Sequence, residues 1–246
     1  MPASKRNVTS IARSKKKSEF NEKLSVVIPA AGMGHRMKSY GPKALIDVGK
    51  NLTLIERQIK IIWKLYPDSD ILITVGFDAG KITERLKKYP VRFIHNPLHD
   101  KTNVLYSIGL AMQACVTSSV MIVYGDLIFN EKALKNLVDG KTSKIVVEDS
   151  GMMDKREVGV ICENGLAQNL SFGLNTKWCQ IAYLLNSEMQ MMKEMSIKIE
   201  NSQWLGYEAL NHMIDNGARL EAVKPKSIRV IDLDFVKDLE RISKIN

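Results

Sequence analysis

Cysteine is scarce in this chain of 246 residues, and its three, Cys115, Cys162 and Cys179, include no C-x-x-C pair. An odd, scattered set supplies neither a disulfide framework nor a zinc site, so the three are expected as buried thiols. Long apolar runs are missing too. No stretch approaches the length of a membrane span, which excludes a membrane-inserted chain. The first residues carry Lys and Arg without an apolar stretch before a cleavage site, so they do not read as a secretory signal and the cytoplasm is the expected location. Internal repeats are absent, and no low-complexity tract follows the first 22 residues.

What is present is an ordinary globular composition, 45% hydrophobic and 26% charged, in a chain long enough to bury a full core. The net charge of +9 is unevenly spread: Lys5, Arg6, Arg13, Lys15, Lys16 and Lys17 against Glu19 place +5 in residues 1–20 and leave +4 for the rest. Residues 1–22 therefore read as a disordered basic tail, either a solubilising extension or an arm for nucleic acid or an anionic surface. Residues 23–246 read as one domain. The composition admits a homo-oligomer.

From Leu24 onward, short apolar runs alternate with helical patterns, the mark of β-α units and a mostly parallel sheet. Strands are expected at 24–30, 70–76, 91–95 and 120–124. Between the first two, "LIERQIKIIWKLY" aligns Leu54, Ile55, Ile59, Ile62, Trp63 and Tyr66 on one helical stripe. "AGKITERLKKY" and "TNVLYSIGLAMQAC" supply two more helices. The expected fold is α/β, a Rossmann-like doubly wound sheet with ligands beyond the carboxyl ends of its strands. After residue 140, "SKIVVED" and "EVGVICENGLAQNLSF" predict further strands, with Asn164 and Gly165 forming a two-residue hairpin turn, so a small β-rich, mixed-sheet extension is expected. "QMMKEMSIK" and "LGYEALNHMIDNG" predict helices, the second closed by Gly217. Met189, Met191, Met192 and Met195 fit core packing.

The first strand runs into "AAGMGHRM". Gly32 and Gly34 permit a tight turn that offers backbone N–H groups to an anion, and Arg36 adds a bidentate contact to phosphate. A plain strand-to-loop turn accounts for the glycines alone. The loop is no P-loop, because no G-K-S/T closes it, and Met37 stands where a dinucleotide fingerprint has its third glycine. Seven residues on, Pro42 stiffens the approach to Lys43, a compact cation suited to polyphosphate.

In order along the chain, "AAGMGHRM", "GPKAL" and "TLIERQI", then "NPLHDKTNVLYSIGLA", "VMIVYGDLIF" and "LDFVKDLERI", resemble the signature of the sugar-nucleotide nucleotidyltransferases, with A-A-G-x-G-x-R and P-K-x-L at its head. The matches span residues 24–242. They are most similar to the choline-phosphate and phosphonate cytidylyltransferase branch. The resemblance implies the nucleotide-diphospho-sugar transferase fold, a nucleoside triphosphate, favouring CTP, and a small phosphorylated or phosphonate acceptor. It implies nucleotide contacts from Ala30, Ala31, Gly32, Gly34, Arg36, Lys43, Thr102 and Asn103, with Arg36, Lys43 and Asp126 catalytic. It further implies Mg²⁺ held by Asp126 and Asp234, four residues before Asp238. Asp232 takes the place of the family's Glu, and on an extended strand it would face the same cation as Asp234.

Some positions depart from the family. His35 replaces Ser or Thr, and Ser171 and Phe172 precede Gly173 where a phosphate-binding Lys is usual, so Lys144 or Lys177 is a substitute. Trp178, Tyr183, Trp204, Tyr207 and Glu208 are either core residues or a pocket for an ammonium group. His95 and His99, separated by Pro97, are read as loop residues rather than a metal pair. The rival readings are a sugar-1-phosphate uridylyl-, thymidylyl- or guanylyltransferase, and an inactive module binding nucleotide or polyanion.

Overall fold

Leu24–Pro29 is an unbroken apolar run, as a strand covered on both faces requires. It forms β1 of a computed structural model that describes residues 23–32, 41–149, 156–234 and 236–244. The expected basic tail lies outside the described residues, as do Gly34, His35 and Arg36. The helix α1 (Leu54–Leu65) leads to β2 (Asp70–Val75), α2 (Ala79–Leu86) to β3 (Arg92–His95), and α3 (Val104–Gln113) to β4 (Ser119–Val123). Then come β5 (Leu127–Phe129), β6 (Ser143–Asp149), β7 (Val158–Glu163), β8 (Leu166–Phe172) and β9 (Thr176–Leu185). The last elements are α4 (Asn186–Ser196), α5 (Gly206–Asp215), β10 (Leu220–Val223) and β11 (Val230–Asp232).

Nine strands join one mixed sheet in the order β3-β2-β1-β4-β9-β6-β10-β8-β7. The first four are mutually parallel, β9 runs antiparallel to both β4 and β6, and β10 is parallel to β6. The predicted β-rich extension thus continues the sheet begun by β1 to β4. After β3 the chain returns to the opposite side of β1, which makes the crevice beyond the carboxyl ends of β1 and β4 the topological switch point.

Strand alternation sends β1 side chains into two cores. Val26 and Ile28 meet Ile55, Ile59 and Ile62 of α1 and Ile82 and Leu86 of α2. Val27, on the other face, joins Leu105 and Ile108 of α3, Met189, Met192 and Met195 of α4, and Leu210 and Met213 of α5. Asn164 and Gly165 turn the β7–β8 hairpin with φ of +52° and +78°, the left-handed pair of a primed turn. Gly217 closes α5 at φ +90°: its N–H donates to the Ile214 carbonyl and that of Ala218 to Met213, a Schellman arrangement.

Candidate active site

At the end of β1, the Ala30 N–H donates to the Thr74 carbonyl and the Ala31 carbonyl accepts from the Phe77 N–H, so the strand end is tied to β2. Ala30, Ala31 and Gly32 form one wall of a cavity of about 300 Å³ that also reaches Lys43, Thr102, Asn103 and Asp126. The structure therefore gathers every described nucleotide-contact residue expected from the sequence around one space. Across it, Gly125 follows the end of β4 by two residues, and its N–H donates to the Pro29 carbonyl. A Cβ at this position would lie 2.6 Å from that oxygen, so only glycine allows the two strand ends to approach so closely.

The carboxylates meet through pairing that sequence separation hides. The short strands β5 and β11 lie antiparallel, Leu127 opposite Asp232, and the Leu233 N–H donates to the Asp126 carbonyl at 2.9 Å. Asp126 and Asp234 are thereby brought to a common side chain. Lys43, in the single helical turn Lys43–Leu45 that follows Pro42, places Nζ 2.6 Å from Asp234 Oδ1 and 3.3 Å from Asp126 Oδ2. Burial works against the Lys43 charge, but Asp126 and Asp234 outweigh it, and its pKa lies above the usual lysine value. Asp238, itself buried, accepts from the Asp234 N–H at 3.1 Å and orients the segment.

Asp232 enters a different contact set from the one its spacing suggests. Its Oδ2 accepts from Gln180 Nε2 at 2.5 Å, and its Oδ1 lies 3.5 Å from Lys177 Nζ. Burial lifts its pKa to about 6 against the pull of Lys177, with Asp126, Glu157 and Asp234 adding to the rise. The chain leaves β11 at Asp232, so the two-residue alternation does not carry through to Asp234. Among the described residues no group of three or more His, Cys, Asp or Glu side chains could hold one metal ion.

Thr102 and Asn103 line the cavity but are also used structurally. The Thr102 hydroxyl donates to the Leu98 carbonyl, and Asn103 Nδ2 donates to the Gln203 carbonyl, which anchors the start of α3. Lys144 pairs with Asp139, whereas Lys177 pairs with Glu157 at 2.6 Å while facing Asp232. The aromatic set does not converge as one pocket. Tyr183 lies in the α1–α2 core, Trp178 in the opposite one, and the Glu208 carboxylate caps the Leu205 N–H. His95 is exposed at the end of β3, and His99 lines the cavity.

Tyr124, Gln180 and Leu205 also border the cavity, and sequence reasoning did not select them. Tyr124 had a signal, since it precedes Gly125 and Asp126 at a strand end. Gln180 had none, because nothing local marks the irregularity that turns it inward.

A doubly wound sheet carries at its switch point a cavity flanked by a lysine and two aspartates, the place where α/β folds of this kind bind ligands. Residues 26–162, more than half of the chain, match the model of the MobA-like NTP transferase domain, and the chain belongs to that family. Over 117 residues it is 32% identical to the bifunctional protein GlmU of Synechococcus sp. (strain JA-2-3B'a(2-13)), an alignment covering 47% of this chain and 18% of that protein. GlmU of Francisella tularensis subsp. novicida (strain U112) is 33% identical over 117 residues, 47% of this chain and 25% of its own length. The match thus spans a quarter or less of either relative. Among solved structures, the CTP:phosphocholine cytidylyltransferase LicC from Streptococcus pneumoniae superposes with a TM-score of 0.73 at 18% identity, over 91% of this chain and 99% of that one. A putative glucose-1-phosphate thymidylyltransferase from Bacillus anthracis gives 0.74 at 17% identity, over 90% and 94%. These likenesses establish the fold.

Proposed function

We propose that the chain is a Mg²⁺-dependent nucleotidyltransferase that joins a nucleoside triphosphate, CTP in our reading, to a small phosphorylated or phosphonate acceptor. The observation that carries this reading is the Lys43 ammonium between Asp126 and Asp234 at the cavity formed by Ala30, Ala31 and Gly32. Two carboxylates suit Mg²⁺, which is commonly held by one or two carboxylates and completed by water and substrate phosphates. Asp126 and Asp234 would hold it, and when bound it supplies charge neutralisation on the phosphates.

An acceptor phosphate oxygen forms the new bond to the α-phosphorus, the bond from that phosphorus to the bridging oxygen breaks, and pyrophosphate leaves with the electron pair. Attacker and leaving group are already ionised at neutral pH, so no strong base is required. The chain's part is to position and to neutralise charge. The backbone at Ala30, Ala31 and Gly32 lies against the nucleotide, and Thr102 and Asn103 border the nucleoside. Lys43 and Arg36 neutralise phosphate charge. The reaction draws on a nucleoside triphosphate pool, which fits a cytoplasmic location.

The test is a thermal-shift panel of CTP, UTP, GTP, ATP and dTTP with Mg²⁺, followed by pyrophosphate release. A ligand at 100 times its Kd stabilises the native state by about 2.7 kcal/mol, a readily measured rise. CTP giving the largest shift is expected, and Asp126→Ala is expected to abolish turnover with Tm retained. Absence of any shift, or a fully active Asp126→Ala protein, would overturn the reading. A sugar-1-phosphate transferase is the second reading, supported by the likeness to the putative thymidylyltransferase and marked by a larger shift with dTTP, UTP or GTP.

A further inference from the structure

The two carboxylates of the site are held from behind by backbone. The Leu233 N–H donates to the Asp126 carbonyl at 2.9 Å, and the Asp234 N–H donates to the Asp238 carboxylate at 3.1 Å. The backbone of Lys43 is held as well. Ala44, beside it, is buried in the core, the Leu45 N–H donates to the Pro42 carbonyl, and the Ile46 carbonyl accepts from the Leu54 N–H at the start of α1. The Lys43 side chain is the mobile partner, a flexible stem with a compact charge at its tip, on the wall of the cavity.

That tip occupies a telling place. Nζ lies 2.6 Å from Asp234 Oδ1 and 3.3 Å from Asp126 Oδ2. An ion that bridged the same two oxygens at the distance of about 2.1 Å that Mg²⁺ demands would have to take the position Nζ holds. Among the described residues the site offers such an ion two carboxylates and a competing ammonium, not a cage of three or more ligating side chains.

We infer that Lys43 holds the place of the metal ion and makes its entry conditional on the triphosphate. The inference rests on the nucleotidyltransferase reading and adds an order of events to it. Without a triphosphate, a divalent ion must displace Lys43 from both carboxylates. The displaced ammonium stays near the ion on its fixed backbone, so two like charges are left side by side. A triphosphate relieves both difficulties at once. Its oxygens give Lys43 a new charge-assisted partner and complete the octahedral shell that the ion needs. Linkage makes the effect reciprocal, so the ion in turn tightens the triphosphate.

The experiment titrates the full chain, free of nucleotide, with Mn²⁺, which takes the same oxygen ligands as Mg²⁺ and whose unbound fraction is read by electron paramagnetic resonance. Lys43→Met keeps an unbranched stem and removes the charge. It is expected to bind Mn²⁺ at least about tenfold more tightly than the unaltered chain. Lys43→Arg, which keeps a cation, should show no gain. Adding Asp234→Asn to Lys43→Met should remove the gain, which locates the ion. A second measurement needs no variant. In the unaltered chain Mn²⁺ alone should leave Tm unchanged, whereas the triphosphate with the largest shift in the panel should raise Tm more with Mn²⁺ than with EDTA. Mn²⁺ bound as tightly by the unaltered chain as by Lys43→Met, or equal triphosphate shifts with Mn²⁺ and with EDTA, would overturn the inference while leaving nucleotidyl transfer standing. No triphosphate shift in either condition and no pyrophosphate release would refute that reading, and the inference with it.

Discussion

Lys43, proposed to meet incoming phosphate charge, is the present counter-ion of Asp126 and Asp234, at 3.3 and 2.6 Å. Removing it takes away a cation that the two carboxylates share. In Lys43→Ala, Mg²⁺ should therefore raise Tm more than it does in the unaltered chain, while kcat falls by about a hundredfold or more through loss of charge stabilisation. Calorimetry with and without Mg²⁺ reads the first effect and steady-state kinetics the second. Gly125 makes a different residue-scale contribution. The Cβ of Gly125→Ala would press on the Pro29 carbonyl at 2.6 Å, and strand ends yield less readily than a flexible side chain. A loss of about 1–3 kcal/mol is expected in urea unfolding, with a smaller triphosphate-induced shift. That Gly32, Lys43 and Asp126 share one cavity was legible in the sequence because each stands in a compact local motif at the end of a strand or in the loop after it. The place of Gln180 on the cavity wall was not, since it arises from a pairing slip between β6 and β9.

At the scale of elements, α1 shows how a local signal becomes a tertiary brace. Thr53 and Glu56 form a reciprocal capping box at its start, and Glu56 Oε2 also receives Arg85 Nη2 from α2 at 2.7 Å. Burial alone would raise the Glu56 pKa. The Thr53 N–H and the Arg85 guanidinium, helped by the Thr53 hydroxyl and Lys88, outweigh it and hold the carboxyl at about 2 against an ordinary 4.5. A depressed carboxyl pKa contributes stability that is full above about pH 4.5 and drains away as the pH falls toward 2. Glu56→Gln should cost roughly 2 kcal/mol at neutral pH and flatten the acid limb of the stability profile in that window, as thermal unfolding across pH would show. The strands expected at 24–30, 70–76, 91–95 and 120–124 agree with β1 to β4 to within a residue at either end; β1, β2 and β4 are buried parallel strands written as largely apolar runs, and β3 is the partly exposed edge. β9 was not legible: Lys177 and Gln180 interrupt its apolar run, and its central place depends on partners, β4 and β6, that precede it in the chain.

For the whole molecule, charge and topology act separately. In sequence, the excess of basic residues in 1–20 precedes every residue that lines the cavity. Deleting residues 1–20 should abolish salt-sensitive retention on heparin while leaving Tm and pyrophosphate release unchanged; loss of turnover would instead tie the segment to the reaction. The sheet order places the crevice beyond β1 and β4, and the β5–β11 pairing carries Asp234 to Asp126 across the intervening chain. By itself the sequence determined the β-α alternation and the placing of Gly32, Lys43 and Asp126 after strand ends, since apolar periodicity and short motifs are local constraints. Only the tertiary structure decided that Lys43 bridges Asp126 and Asp234, that Asp232 turns to Gln180 and Lys177, and that the later strands extend the same sheet. Those outcomes depend on strand pairing and burial between distant segments, which no local pattern records.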